Sequence, residues 1–178
     1  PPGRRVGGPG ASYLMAPFTH TSQDRPSRFT DGSYGVLYVA QHFETALHET
    51  IHHHAAFMRS TKEAPGWTSA FREIVVDVSG TLHDLRGSDA RWRDWLIPDS
   101  HAAARAAGRA LREAGSDGIV YPSVRDPTGE CAALFYPDLA SGAYQGRHLD
   151  YYWNGSCVQY VRELSTDGTR RHIWQVEP

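Results

Sequence analysis

The sequence predicts an α+β fold, a mostly antiparallel sheet with two main helices, and three observations carry that expectation. Two segments, 41–59 and 101–114, have apolar or alanine-rich helical patterning. A series of short runs is rich in β-branched and aromatic residues and bounded by turn residues. Late in the chain two such runs flank Asp167-Gly168, a hairpin signal. Strands in series, interrupted by only two substantial helices, point to α+β and not to alternating α/β units.

In chain order, residues 1–12 are rich in Pro and Gly, lack periodicity and read as a flexible lead-in to a single domain over 13–178. Tyr13 to Phe18 reads as an edge strand stopped by Pro17, and 19–27 as a polar loop leading to Arg28. After the Asp31-Gly32 turn signal, Ser33 to Ala40 reads as a strand. Gln41 to Arg59 then reads as a helix whose Phe43, Ala46, Leu47, Thr50, Ile51, Ala55 and Met58 share a core face. Thr45, Glu49 and His53 fall on the opposite stripe, so a carboxylate and an imidazole one turn apart are expected to face solvent or a cleft. Phe71 to Val78 is the clearest strand, apolar enough for a central position, and 82–99 is irregular, with Trp92 and Trp95 capping the core. His101 to Ala114 reads as a helix N-capped by Asp99 or Ser100 and closed by Gly115. Gly118 to Tyr121, Cys131 to Tyr136, Leu149 to Trp153, Val158 to Leu164 and Arg170 to Val176 complete the strands.

Composition narrows the function classes. The 178 residues are 40% hydrophobic, enough for one sizeable core. A formal charge of −2 and a pI near 6.6 leave no basic footprint, so direct nucleic-acid binding is not expected. The two cysteines, Cys131 and Cys157, sit in strand-like runs and read as buried thiols of a reducing compartment. No apolar run approaches the ~20 residues of a membrane span, and no signal-peptide hydrophobic segment opens the chain. A soluble cytoplasmic protein is expected.

One short motif belongs to metal chemistry. His48-Glu49-Thr50-Ile51-His52 fits the H-E-x-x-H pattern on a helix, in which the histidines bind zinc and the glutamate is general base. A zinc metallohydrolase is therefore the alternative reading, but no third ligand appears at a usual distance, so no metal is expected. Neither a G-x-G-x-x-G nor a P-loop is present, which argues against a Rossmann or kinase nucleotide site.

Several segments, in order and spaced alike, carry a resemblance: Pro26-Ser27-Arg28-Phe29-Thr30-Asp31-Gly32, Gly35-Val36-Leu37-Tyr38, Glu44-Thr45-Ala46-Leu47-His48-Glu49, Gly118-Ile119-Val120-Tyr121-Pro122-Ser123-Val124-Arg125 and Gly146-Arg147-His148-Leu149. Each is weak alone and together they are specific. The chain resembles the RES-domain toxins of RES–Xre toxin–antitoxin systems. That resemblance implies a fold related to ADP-ribosyltransferase toxins and an activity on NAD: hydrolysis, phosphorolysis, or transfer of ADP-ribose to a protein acceptor. It also implies an Xre-like helix-turn-helix antitoxin as partner and self-association into a homo-oligomer. The family arginine falls on Arg28 and its glutamate on Glu49. Its serine best matches Ser123, while Ser100 sits where some relatives place a functional serine. Tyr38 matches a tyrosine on the strand before the helix, and His53 a histidine one turn after the glutamate.

These residue types suit the chemistry on their own terms. Arg28 can grip a pyrophosphate through its planar fork. Tyr38 offers a face for nicotinamide, and Glu49 can stabilise positive charge developing on a ribose. Ser123 or Ser100 can hydrogen-bond the ligand, and His53 can orient Glu49 or bind phosphate. NAD is expected in a cleft between the first helix and the sheet. A third reading, a catalytically silent domain that keeps only the antitoxin contact, is disfavoured because Arg28, Tyr38 and Glu49 are all present.

Overall fold

The structure, a computed structural model, describes residues 2–87, 90–165, 167 and 169–176. Its elements are α1 (Ala11–Thr19), β1 (Leu37–Ala40), α2 (Phe43–Arg59), β2 (Thr68–Val78), β3 (Leu82–Asp84), α3 (Ala102–Glu113), β4 (Gly118–Pro122), β5 (Glu130–Leu134), β6 (Ala140–Trp153), β7 (Val158–Leu164) and β8 (Arg170–Gln175). The fold is α+β with two mostly antiparallel four-stranded sheets, ordered β1-β5-β4-β3 and β2-β6-β7-β8. The chain divides into two compact units, Pro1–Ala46 with Val76–Ala143, and Leu47–Val75 with Tyr144–Pro178.

In the first unit β5 pairs antiparallel with β1 and β4, and β3 pairs parallel with β4. Because side chains alternate across a strand, Cys131 and Ala133 of β5 join Phe29, Val36, Leu85, Ala104, Ile119, Tyr121 and Phe135 in one core. Ala132 and Leu134 join Leu14, Leu139 and Ala140 in another. Both faces of β5 are thus covered, in keeping with its apolar run from Cys131 to Leu134. Trp92 and Trp95, in a 3-10 turn over Ala90–Trp95, pack against the first core as their composition suggested. Helix α3 buries its small residues Ala104, Ala107 and Gly108. A Cβ at Gly108 would lie 2.2 Å from the Phe29 carbonyl oxygen, so glycine lets α3 approach the segment that carries Arg28.

Several sequence expectations are corrected. Tyr13 to Phe18 is not an edge strand but lies in α1, whose Ala11, Leu14, Met15 and Ala16 are good helix formers and which ends two residues past Pro17. The strand after Gly32 begins only at Leu37, since Thr30 and Asp31 side chains accept the Gly32 and Ser33 N–H groups and keep that stretch a turn. Strand β2 is an edge strand, not a central one. Helix α3 is N-capped by His101, with no side-chain cap from Asp99 or Ser100, while Gly115 at φ +84° closes it as expected. Within the stretch read as a lead-in, Arg4 pairs with Asp117 at 3.0 Å and Asp138 at 2.9 Å and covers the Tyr136 ring. Gly168 of the expected hairpin turn lies outside the described residues. Cys131 and Cys157 are free thiols, the first buried.

In the second unit, β7 pairs antiparallel with β6 and β8. Tyr152 stacks on its cross-strand neighbour Tyr160 at 4.7 Å, and Asp150 pairs with Arg162 at 3.0 Å. Leu47, His54, Ala55 and Met58 are the buried residues of this part of α2. His54 was invisible as a core residue in the sequence, yet its ring packs edge-on to Phe71 at 4.9 Å and Tyr151 at 5.8 Å. Its Nε2 is buried and has no hydrogen-bond partner among the described residues.

That burial lowers the His54 pKa from its ordinary 6.5. The unfolded chain therefore binds a proton near pH 6.5 that the folded chain resists, so stability contributed by neutral His54 falls as pH drops from about 6.5 through the lowered folded value. Chemical denaturation at pH 7.5 and 5.5 should show a larger acid loss for wild type than for His54→Phe. Equal losses would show that His54 titrates alike in both states.

Candidate active site

The chain flanking Arg28 is fixed from every side by unit-one residues. Ser27 N–H donates to the Thr30 carbonyl at 2.9 Å, and the Ser27 carbonyl accepts from Arg105 Nε at 3.1 Å. Phe29 N–H donates to the Tyr38 hydroxyl at 2.9 Å, and the Phe29 carbonyl accepts the Tyr34 hydroxyl at 2.6 Å. Phe29 itself is fully buried, edge-on to Tyr121 at 5.1 Å. Burial pushes the Tyr34 hydroxyl up to about 12 and raises that of Tyr38, a rise that the Ser27 hydrogen bond partly offsets. Both phenols are therefore protonated at neutral pH and serve as fixed hydrogen-bonding groups.

Arg28 is 9% exposed. Its Nη1 donates to the carbonyls of Trp95 at 3.1 Å and Ile97 at 2.9 Å, and its Nη2 to that of Pro98 at 3.4 Å. The Tyr38 hydroxyl is engaged with Ser27 at 2.8 Å as well as with Phe29, and its half-buried ring packs against the first core. In this geometry Tyr38 holds the backbone that aims Arg28.

Ser123 is buried, and its hydroxyl accepts the N–H groups of Arg125 at 3.1 Å and Asp126 at 3.0 Å, forming the turn after β4. That turn is tied to the first turn of α2, where the Thr45 hydroxyl donates to Asp126 at 2.7 Å. Thr45 is 1% exposed, so it does not lie on an open stripe with Glu49 and His53 as the helical pattern suggested. Ser100 is exposed, between Asp99 and His101.

Glu49 and His53 lie on the part of α2 that belongs to the second unit. His53 Nε2 is 3.8 Å from Glu49, one helical turn away, with the histidine side chain 67% exposed and the carboxylate 21%. Arg28, Tyr38, Ser100 and Ser123 belong to the first unit. His48 and His52 share the helix with Glu49. Among the described residues, no group of three or more His, Cys, Asp or Glu is placed to hold a metal ion. No described helix is long and apolar enough to cross a membrane.

Sequence reasoning gave no role to Arg105 and Tyr34, which fix the Arg28 segment, or to Arg125. Their signal was a place in or beside a matched segment, for Arg125 and Tyr34, or next to the small buried residues of α3, for Arg105. Neither has the period that marks a site.

A family model described as RES domain matches residues 2–154 of the chain. The chain is also similar to an uncharacterized protein, y4oC, of Sinorhizobium fredii, with 30% identity over 163 residues that cover 88% of this chain and 64% of the relative. The chain thus spans about 64% of that relative's length.

Proposed function

The chain belongs to the RES-domain family, and from that premise we propose that it is a toxin that consumes NAD and is neutralised by an Xre-like helix-turn-helix antitoxin. The observation that carries the reading is the state of Arg28. Arg28 is 9% exposed, its backbone is held by Tyr34, Tyr38 and Arg105, and its fork is engaged on the carbonyls of Trp95, Ile97 and Pro98, so its orientation is pre-set. Such a fork recognises phosphate oxygens in bidentate fashion, and fixing it in advance lowers the entropy lost on binding.

In this reading Arg28 holds the pyrophosphate of NAD as substrate, and Glu49 has the role of the carboxylate that stabilises positive charge on the nicotinamide ribose as the bond to nicotinamide breaks. Nicotinamide leaves with the bonding electron pair, and an oxygen of water, phosphate or a protein side chain bonds to the anomeric carbon and gives up its proton. His53 orients Glu49. Ser123 holds the turn beside the site, Ser100 contacts the ligand, and Tyr38 contributes the accessible part of its ring. The zinc reading through His48, Glu49 and His52 gains no support, because no third ligand groups with them among the described residues.

The test is NAD loss with product identification on the purified chain. Free ADP-ribose would indicate hydrolysis, ADP-ribose 1″-phosphate phosphorolysis, and a modified protein transfer; stable NAD in every case would end the proposal. The net charge of −2 supports assigning DNA contact to the partner. Expression of the chain alone should arrest growth and deplete NAD, and co-expression with the antitoxin should relieve both. An antitoxin that binds without lowering NAD loss would refute this account of regulation.

A further inference from the structure

We propose that Arg125 is a second guanidinium of the diphosphate site, and that the segment 97–99 occupies the two arginines until a diphosphate displaces it. The inference rests on the dinucleotide reading of Arg28 and extends it to a residue that reading does not use. It lies wholly within the first unit.

The central observation is the Pro98 carbonyl oxygen. Arg28 Nη2 points to it at 3.4 Å, Arg125 Nη2 at 3.3 Å and His101 Nε2 at 3.1 Å. A carbonyl oxygen has two lone pairs, so three donors exceed its capacity. Both guanidinium contacts are longer than the usual 2.7–3.2 Å range for such bonds. Two cations therefore converge on one neutral acceptor. A diphosphate brings several charged oxygens to the same place, and charge-assisted hydrogen bonds are roughly twice as strong as neutral ones.

Arg125 is held ready for this. Its backbone sits in the Ser123 turn, which is closed by Ser123 N–H on the Gly129 carbonyl at 2.8 Å and tied to Thr45 through Asp126. Its Nη2 also meets Asp99 at 3.0 Å, and the Asp99 side chain is 83% exposed while that of Arg125 is 21% exposed. A carboxylate that exposed is a weak hold. Ile97 is 41% exposed, so moving Ile97 to Asp99 sacrifices little apolar burial, whereas Trp95 and Leu96 pack on the core and remain as an anchor. The Pro98 carbonyl and the Asp99 carboxylate thus stand where phosphate oxygens would bind.

Inorganic pyrophosphate, titrated by calorimetry into the purified chain, tests this directly. Wild type should bind it, Arg125→Ala should bind it about tenfold or more weakly, and Arg125→Lys should recover only part of the loss. Asp99→Ala, at an exposed position that leaves the fold intact, should bind pyrophosphate more tightly and lower KM for NAD without changing kcat. An Arg125 that merely staples the loop would leave affinity unmoved by Asp99→Ala. Unaltered affinity in Arg125→Ala or Asp99→Ala, or no pyrophosphate binding by wild type, would overturn the proposal. The two readings separate cleanly: this pattern with no NAD turnover sinks the NAD-consuming function alone, and NAD turnover with KM unmoved by both variants sinks this inference alone.

Discussion

Glu49→Gln should lower NAD consumption by about a hundredfold or more while leaving the fold intact. The substitution keeps size and helix propensity in the middle of α2. On the proposed reading, what it removes is the charge that stabilises a ribose becoming positive as nicotinamide departs. The Glu49 side chain is 21% exposed and so partly shielded from water, a setting in which a carboxylate's field is stronger than in bulk solvent. The loss should appear in kcat, because that charge interacts with the transition state far more than with neutral ribose. His53 is 67% exposed and sits 3.8 Å away, so His53→Ala should have a much smaller effect. An unchanged rate in Glu49→Gln, with matching Tm, would remove Glu49 from the chemistry. Because the zinc reading also needs Glu49, the same preparation should be checked for metal, and stoichiometric zinc with chelator-sensitive activity would restore that alternative.

The fold class was legible because it rests on periodicity, and the two long helices and most strands have it. What failed were places where a local preference was overruled by packing. Tyr13 to Phe18 has the composition of a short strand, but its flanking Ala11 and an N-cap Gly10 at φ +78° start a helix that buries Leu14. The apolar run Phe71 to Val78 suggested a central strand, yet β2 is at the sheet edge, since apolar content reports covered faces and not the number of hydrogen-bonded neighbours.

The candidate site was legible by residue type and not by arrangement. Arg28, Glu49 and Ser123 stand out through the motifs around them, but nothing in a one-dimensional pattern says that the Arg28 fork ends on three carbonyls some seventy residues away. Nor does helical spacing reveal that Thr45 is buried against the Asp126 turn. Such contacts depend on long-range placement, to which the 3.6-residue period is blind.

Arg28→Ala should weaken NAD binding by about tenfold to a hundredfold, the worth of one or two charge-assisted hydrogen bonds. It should also cost stability, because the carbonyls of Trp95, Ile97 and Pro98 lose those donors; with Ile97 and Pro98 exposed to water, the loss should stay near the low end of about 1–3 kcal/mol. Arg28→Lys separates charge from geometry. Its ammonium keeps the charge, but a single nitrogen cannot reproduce Nη1 on two carbonyls and Nη2 on a third, nor present two parallel donors to a phosphate. Lysine should therefore restore only part of the stability and a minor part of the affinity. The kinetic signature should differ from that of Glu49→Gln: on the proposed reading Arg28 grips a part of NAD that does not change charge during reaction, so its loss should raise KM with a smaller change in kcat. Equal NAD affinity in wild type, Arg28→Ala and Arg28→Lys by calorimetry would assign Arg28 to holding the Trp95–Pro98 segment and nothing more.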